Sequence, residues 1–261
     1  MSDLLESVLD DLAAEGDRLE AIVAPLPEPD WRRPTTAAGW DVATQVAHLA
    51  WTDEAALAAA TDKQAWDALV LEAIADPTGS VDRAALDGGA VPPSALLDRW
   101  RGGRKALAET LRGYPDGQKI PWYGPPMSAT SMATARFMET WAHSLDVHEA
   151  LGVEPDVSDR VRHVAHLGVR TRNFSYATRG EVPPAEEFRV ELVAPSGETW
   201  AWGAEDAAQR VTGSAYDFCL LATQRIHRAD TDLVATGADA DHWLDIAQAF
   251  AGPPGEGRAP R

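Results

Sequence analysis

The sequence has one cysteine, no long apolar run and few basic side chains for its size. A single thiol, Cys219, excludes an internal disulfide, and its setting, Tyr216-Asp-Phe-Cys-Leu-Leu-Ala222, is that of a buried structural thiol. No stretch approaches the roughly 20 apolar residues of a membrane span. The start, Met1-Ser-Asp-Leu-Leu-Glu6, lacks the basic head and apolar core of a signal peptide, so a cytoplasmic location is expected. With 23 basic against 41 acidic residues the formal charge is -18, which excludes general nucleic-acid or anionic-membrane partners, since both would repel such a surface. Internal repeats, a phosphate-binding glycine loop, a nucleophile elbow and a Cys-x-x-Cys pair are also absent.

What is present is a chain of 261 residues, enough for a sizeable core, with arginine far ahead of lysine and abundant alanine. Leu4, Leu5, Val8, Leu12, Leu19 and Ile22 repeat with helical period, and Pro25, Pro27 and Pro29 end that helix near residue 24. A second helix is expected over about 41–60, with a shorter continuation through Trp66, Leu69 and Ile74. Pro77, Gly79, Gly88, Gly89, Pro92 and Pro93 read as loop, followed by a third helix through Leu96, Trp100, Leu107 and Leu111. After an irregular crossover containing Trp122 and Tyr123, Ser128 caps a fourth helix that ends at Gly152. A fifth is expected over about 158–178. It carries His163, His166, Arg170 and Arg172, which either line a pocket or face water, with water favoured.

Beyond Pro183-Pro184 the period changes. Phe188-Arg-Val-Glu-Leu-Val193 and Thr199-Trp-Ala-Trp202 alternate around the turn Pro195-Ser-Gly197 as a hairpin, and Gln209-Arg-Val-Thr212 and Asp232-Leu-Val-Ala-Thr236 add short strands. Helices are expected from Ser214 to Arg225 and from Ala240 to Phe250. The fold class is therefore mainly α with an α+β C-terminal module: a helical bundle over residues 1–180, a small α+β domain over 185–251 and a disordered tail over 252–261.

The chemistry concentrates in two helical segments. Glu139 and His143 are four residues apart, a rotation of about 400° that points both side chains the same way one turn apart. His48 lies in an apolar stretch, Val46-Ala-His-Leu-Ala50, where an imidazole needs a partner. Together they form a candidate three-ligand site for a divalent ion, zinc being the first choice, with the fourth position open. The same stripe runs from Arg136 to Asp146. Read alone, it also fits a solvated helix face and a core histidine bonded to a carbonyl. His148 is rotated away from the stripe and is left out.

These residues carry a resemblance. Gly39-Trp40, Val46-Ala-His-Leu-Ala50 and Arg136-x-x-Glu139-x-x-x-His143-x-x-Asp146 resemble the N-terminal domain of mycothiol-dependent maleylpyruvate isomerases, within the DinB-like metal-binding four-helix bundles. The likeness is strongest to an actinobacterial branch of metal-binding proteins of uncharacterised role. Val211-Thr-Gly-Ser-Ala215 and Gln224-Arg225 are similar to that family's second domain. The resemblance implies zinc on His48, Glu139 and His143, with Asp146 beside the metal and Arg225 as the arginine that reaches the active site. It also implies mycothiol as a thiol cosubstrate.

The leading expectation is a zinc-dependent enzyme of the thiol S-transferase or mycothiol-dependent isomerase type, acting on a small electrophilic or carboxylate-bearing substrate. Metal-assisted hydrolysis and non-catalytic small-molecule binding in the same pocket stay open, as does a homodimer through exposed helix faces.

Overall fold

The computed structural model describes residues 3–261; Met1 and Ser2, the start of the segment read above for a leader, lie outside the described residues. The chain divides into two compact units, residues 1–155 and 156–261. No described helix is long and apolar enough to cross a membrane.

The first unit is built from four long helices, α1 (Asp3–Val23), α3 (Val42–Thr61), α6 (Pro93–Arg112) and α7 (Ala129–Leu151), with a single-turn α2 (Glu28–Trp31) and the shorter α4 (Lys63–Ala75) and α5 (Ser80–Gly89) between them. The helix ends follow local chemistry. Asp41 caps α3 by accepting from Thr44 N–H at 2.7 Å, Ser128 caps α7 by accepting from Ser131 N–H at 3.1 Å, and Gly152 ends α7 in the left-handed region at φ 67°.

Helix α5 falls where the sequence reads as loop. Its glycines and Ala85 explain the difference, because they let α5 lie almost on α3. A Cβ on Gly89 would sit 3.1 Å from the Thr44 backbone, and one on Gly88 3.1 Å from Ala47 Cβ. What looks like chain-breaking glycine is a close helix contact.

Among the described residues, two apolar clusters lie in the bundle. One joins Leu19, Val23, Trp31, Val46, Leu49, Leu96 and Trp100; the other joins Leu5, Val8, Leu9, Ala56, Leu107, Leu111 and Met132. Along α3 and α7 the buried polar side chains Thr52, Asp53, Arg136 and Thr140 fall between the stretches that feed these two clusters. The candidate ligands share that polar layer.

The second unit holds α8 (Arg162–Arg170), α9 (Arg172–Ala177), β1 (Phe188–Val193), β2 (Thr199–Trp202), β3 (Gln209–Ser214), α10 (Ala215–Ala222), β4 (Val234–Thr236) and α11 (Ala238–Ile246). The sheet order is β2-β1-β3-β4. The hairpin expected from the sequence pairs Val190 with Trp202, whereas β1 and β3 pair in parallel, Phe188 opposite Gln209.

The helix expected over 158–178 is a 3-10 turn (Asp159–Val161) followed by α8 and α9, which separate at Thr171. The Thr171 hydroxyl has the Gln248 carbonyl at 2.7 Å as its shortest acceptor, with the Leu167 and Gly168 carbonyls at 2.9 and 3.1 Å beside it. This segment packs in the second unit: a Cβ on Gly168 would meet the Phe218 ring at 2.9 Å, and Cys219 Sγ–H donates to Val161 O at 3.3 Å. The compact division falls after Pro155. Residues 252–261 carry no regular secondary structure, and the Arg261 N–H donates to Asp230 at 3.0 Å.

Candidate metal centre

Helices α3 and α7 present facing polar stripes whose members pair rung by rung in reverse order, as antiparallel neighbours must. Gln45 meets His143, His48 meets Glu139, and Thr52 meets Arg136. The spacing on each helix is three to four residues, so each stripe stays on one face.

The central rung brings the candidate ligands together. His48 Nε2 and His143 Nε2 each lie 3.3 Å from Glu139 Oε2, and one donor atom from each of the three residues falls within 4.8 Å of the others. The imidazole centroids are 4.5 Å apart. Burial by itself would raise the Glu139 carboxyl, but hydrogen bonds and charge from His143 and His48 outweigh it and hold the group well below its ordinary range.

Gln45 decides the state of His143. Its side-chain nitrogen donates to Thr35 Oγ1 at 2.8 Å, so its carbonyl oxygen faces His143 Nδ1 at 2.6 Å and accepts the proton there. In the neutral ring His143 Nε2 then carries a lone pair facing the carboxylate 3.3 Å away, while in the protonated ring it donates there. Two electron-rich atoms at that separation need a proton or a cation between them. The donor set of two imidazoles and a carboxylate suits a borderline divalent ion, and three protein ligands leave a position open for a small molecule. These residues fit a metal such as zinc.

Asp146 is buried next to this rung. Its Oδ2 is 3.9 Å from His143 Nδ1, beyond hydrogen-bond reach, and its Oδ1 accepts from Thr36 Oγ1 at 3.3 Å. The bonded partner at His143 Nδ1 is therefore Gln45 and not Asp146. Sequence reasoning missed Gln45, although its place three residues before His48 puts it on the same helix face.

Trp40 was part of the resemblance without a role. Its indole stacks on His143 at 5.9 Å and 19°, lies 5.2 Å from the His48 ring, and donates through Nε1 to Asp82 Oδ1 at 3.1 Å. The loop that carries Trp40 is closed by Thr35, whose N–H and hydroxyl both donate to Trp40 O.

One turn along from the ligands, Arg136 and Asp53 form a buried ion pair, 1% and 4% exposed. Arg136 Nε donates to Asp53 Oδ1 at 2.8 Å and an NH2 proton to Thr52 Oγ1 at 2.5 Å, while the Thr52 hydroxyl donates to His48 O at 2.8 Å. This chain of bonds ties the ligand-bearing turn of α3 to that of α7.

The remaining candidates lie elsewhere. His148 Nδ1–H donates to Ser144 O at 2.7 Å within its own helix. Trp122 and Tyr123 pack with Trp66, at 5.8 and 4.9 Å between rings. Cys219 is fully buried and burial pushes its thiol well up, as suits a structural residue. Arg225 belongs to the second unit, following Gln224 at φ 61°, and its guanidinium donates to Thr223 O at 2.6 Å.

Fold and site together define a helical-bundle protein with a convergent histidine–carboxylate cluster in its polar layer. Residues 12–148, which contain all three candidate ligands, match the sequence model of the mycothiol maleylpyruvate isomerase N-terminal domain. The chain belongs to this family. Residues 184–236 match the model of a domain described as wyosine base formation.

Among its relatives are uncharacterized proteins of Mycobacterium tuberculosis strains CDC 1551 / Oshkosh and H37Rv. Each is 56% identical over 248 residues, covering 95% of this chain and 96% of the relative. A crystal structure of a mycothiol-dependent maleylpyruvate isomerase shares the fold at a TM-score of 0.60 and 15% identity, over 90% of this chain and 95% of that one. A histidine-to-alanine mutant of such an isomerase aligns with a TM-score of 0.59.

Proposed function

We propose that this protein is a metal-dependent enzyme that uses a low-molecular-weight thiol, mycothiol in the first instance, to isomerise or transfer sulfur to a small electrophilic, carboxylate-bearing substrate. The observation that carries the reading is the convergence of His48 Nε2, His143 Nε2 and Glu139 Oε2 on one point in a family with mycothiol in its description. His48, Glu139 and His143 would hold the ion, with zinc as the expected metal. A divalent ion there supplies positive charge that favours the thiolate over the thiol near neutral pH.

The chain's own residues do the rest. Gln45 keeps the His143 proton on Nδ1 and so reserves Nε2 for the ion, a role that outer partners of metal-bound histidines commonly fill. Trp40 walls the two imidazoles and restricts water at the site. Asp146, buried and bonded to the Thr36 hydroxyl, is the group we assign to accept the proton that an incoming thiol releases. For Arg225 we propose the role of holding a substrate carboxylate by a forked contact.

The test is turnover of a panel containing maleylpyruvate, with and without mycothiol. Thiol-dependent turnover, lost in His143→Ala, is expected. Equal turnover without any thiol would replace this reading with metal-assisted hydrolysis, and tight binding with no turnover would leave a binding protein.

A further inference from the structure

The second unit carries a cleft of about 360 Å³ whose lining includes Arg170, Arg172, Glu187, Phe188, Trp202 and Trp243. That volume is at the lower end of the range for small-molecule sites, about 300–1,000 Å³. Two side chains of its lining, Arg170 and Arg172, lack a bonded carboxylate.

Arg172 is half-buried, with its guanidinium 4.3 Å from the centroid of the Phe188 ring. All its hydrogen bonds go to neutral groups: Nε donates to Asn173 Oδ1 at 2.9 Å, NH1 to Glu186 O at 2.7 Å and NH2 to Pro184 O at 3.2 Å. No carboxylate forms an ion pair with it among the described residues; Glu187 and Asp239 act on it only from a distance. Five N–H groups serve three acceptors, so donors remain. Arg170, exposed at the rim, makes no hydrogen bond or ion pair among the described residues. Trp243 is fully buried against Phe188 and Phe218, and its Nε1–H finds no acceptor among them.

Guanidinium donors without a bonded carboxylate in one cleft, on a chain of net charge -18, call for an acceptor that carries negative charge. Glu187 limits how much. The lining itself holds two arginines against one glutamate, with Asp239 acting on Arg172 from outside it, so a monoanion suits the cleft and a dianionic phosphate overshoots. Trp202, held by a hydrogen bond from its Nε1–H to His166 Nδ1 at 3.2 Å, and Phe188 add apolar wall. The geometry points to a binding site for a small organic monocarboxylate with an apolar or aromatic body. This site lies wholly within the second unit and does not depend on the metal reading.

Benzoate is the probe. Titrated into the full chain and followed by calorimetry and tryptophan fluorescence, it should bind saturably at one site per chain, unchanged by stripping metal with EDTA and more tightly than inorganic phosphate. Arg170→Glu, at an exposed side chain with no bonds to lose, should weaken it by about tenfold or more through reversed charge, and Arg172→Lys should weaken it by removing the fork. Absence of saturable binding, undiminished affinity in Arg170→Glu, loss of binding with EDTA, or phosphate binding as tight as benzoate would each overturn the proposal.

Discussion

The Gln45 carbonyl oxygen lies 2.6 Å from His143 Nδ1, on the side of the imidazole away from Glu139. A neutral amide, itself fixed by Thr35, therefore sets the tautomer of a candidate ligand, where an aspartate three residues along the helix stops 3.9 Å short. Replacing Gln45 by Ala should lower metal affinity by about 10–100-fold, the usual cost of losing the outer partner of a ligating histidine. Gln45→Glu, which restores an acceptor, should recover much of it. Chelator competition on the two variants checks this; equal affinity in Gln45→Ala would remove Gln45 from the site.

The Arg136–Asp53 pair should behave as a buried ion pair. Asp53→Ala leaves a guanidinium uncompensated in the bundle and should cost about 3–5 kcal/mol in urea unfolding. Replacing both partners by apolar residues, as in Asp53→Leu with Arg136→Met, should cost less than the single change. A double variant less stable than Asp53→Ala would contradict that account.

Gly89 should not tolerate a side chain. Its added Cβ would meet Thr44 backbone atoms at 3.1 Å, which cannot swing aside, so Gly89→Ala should destabilise by about 1–3 kcal/mol despite better helix propensity. Thermal unfolding of Gly89→Ala beside Gly102→Ala, where a Cβ meets nothing within 4 Å, separates contact from propensity.

His166 should titrate below its ordinary value. Burial lowers it first, the charges of Arg170, His163 and Arg162 add to that, and the Trp202 N–H bonded to Nδ1 favours the neutral ring. Because the folded pKa is depressed, the associated stability is present above the unfolded value of about 6.5 and is lost as pH falls through the folded value. An NMR titration of the imidazole should place its midpoint under 6.5 and move it upward in Trp202→Phe; a midpoint at or above 6.5 in the parent protein would count against the packing described.

Much of this was legible in the sequence, for physical reasons. Glu139 and His143 declare themselves because four residues is close to one helical turn, and His48 because an imidazole amid Val46, Ala47 and Leu49 needs a partner. Gln45 was silent. An amide in a helix carries no signal until the facing helix is known, and the register of α3 on α7 is a tertiary fact. Helix α5 was hidden by Gly88 and Gly89, which serve close packing rather than a turn. The break at Thr171 depends on Gln248, distant in sequence, and the parallel pairing of β1 with β3 skips the intervening hairpin strand. Local periodicity sees none of these long-range partners.

The most direct test of the central claim is elemental analysis of purified, untagged protein after dialysis against a metal-buffered solution, beside His48→Ala. The account predicts about one zinc or similar divalent ion per wild-type chain, from three ligands on a single site, and its loss in the folded variant. Metal-free wild-type protein, or a variant that retains the full complement, would contradict it.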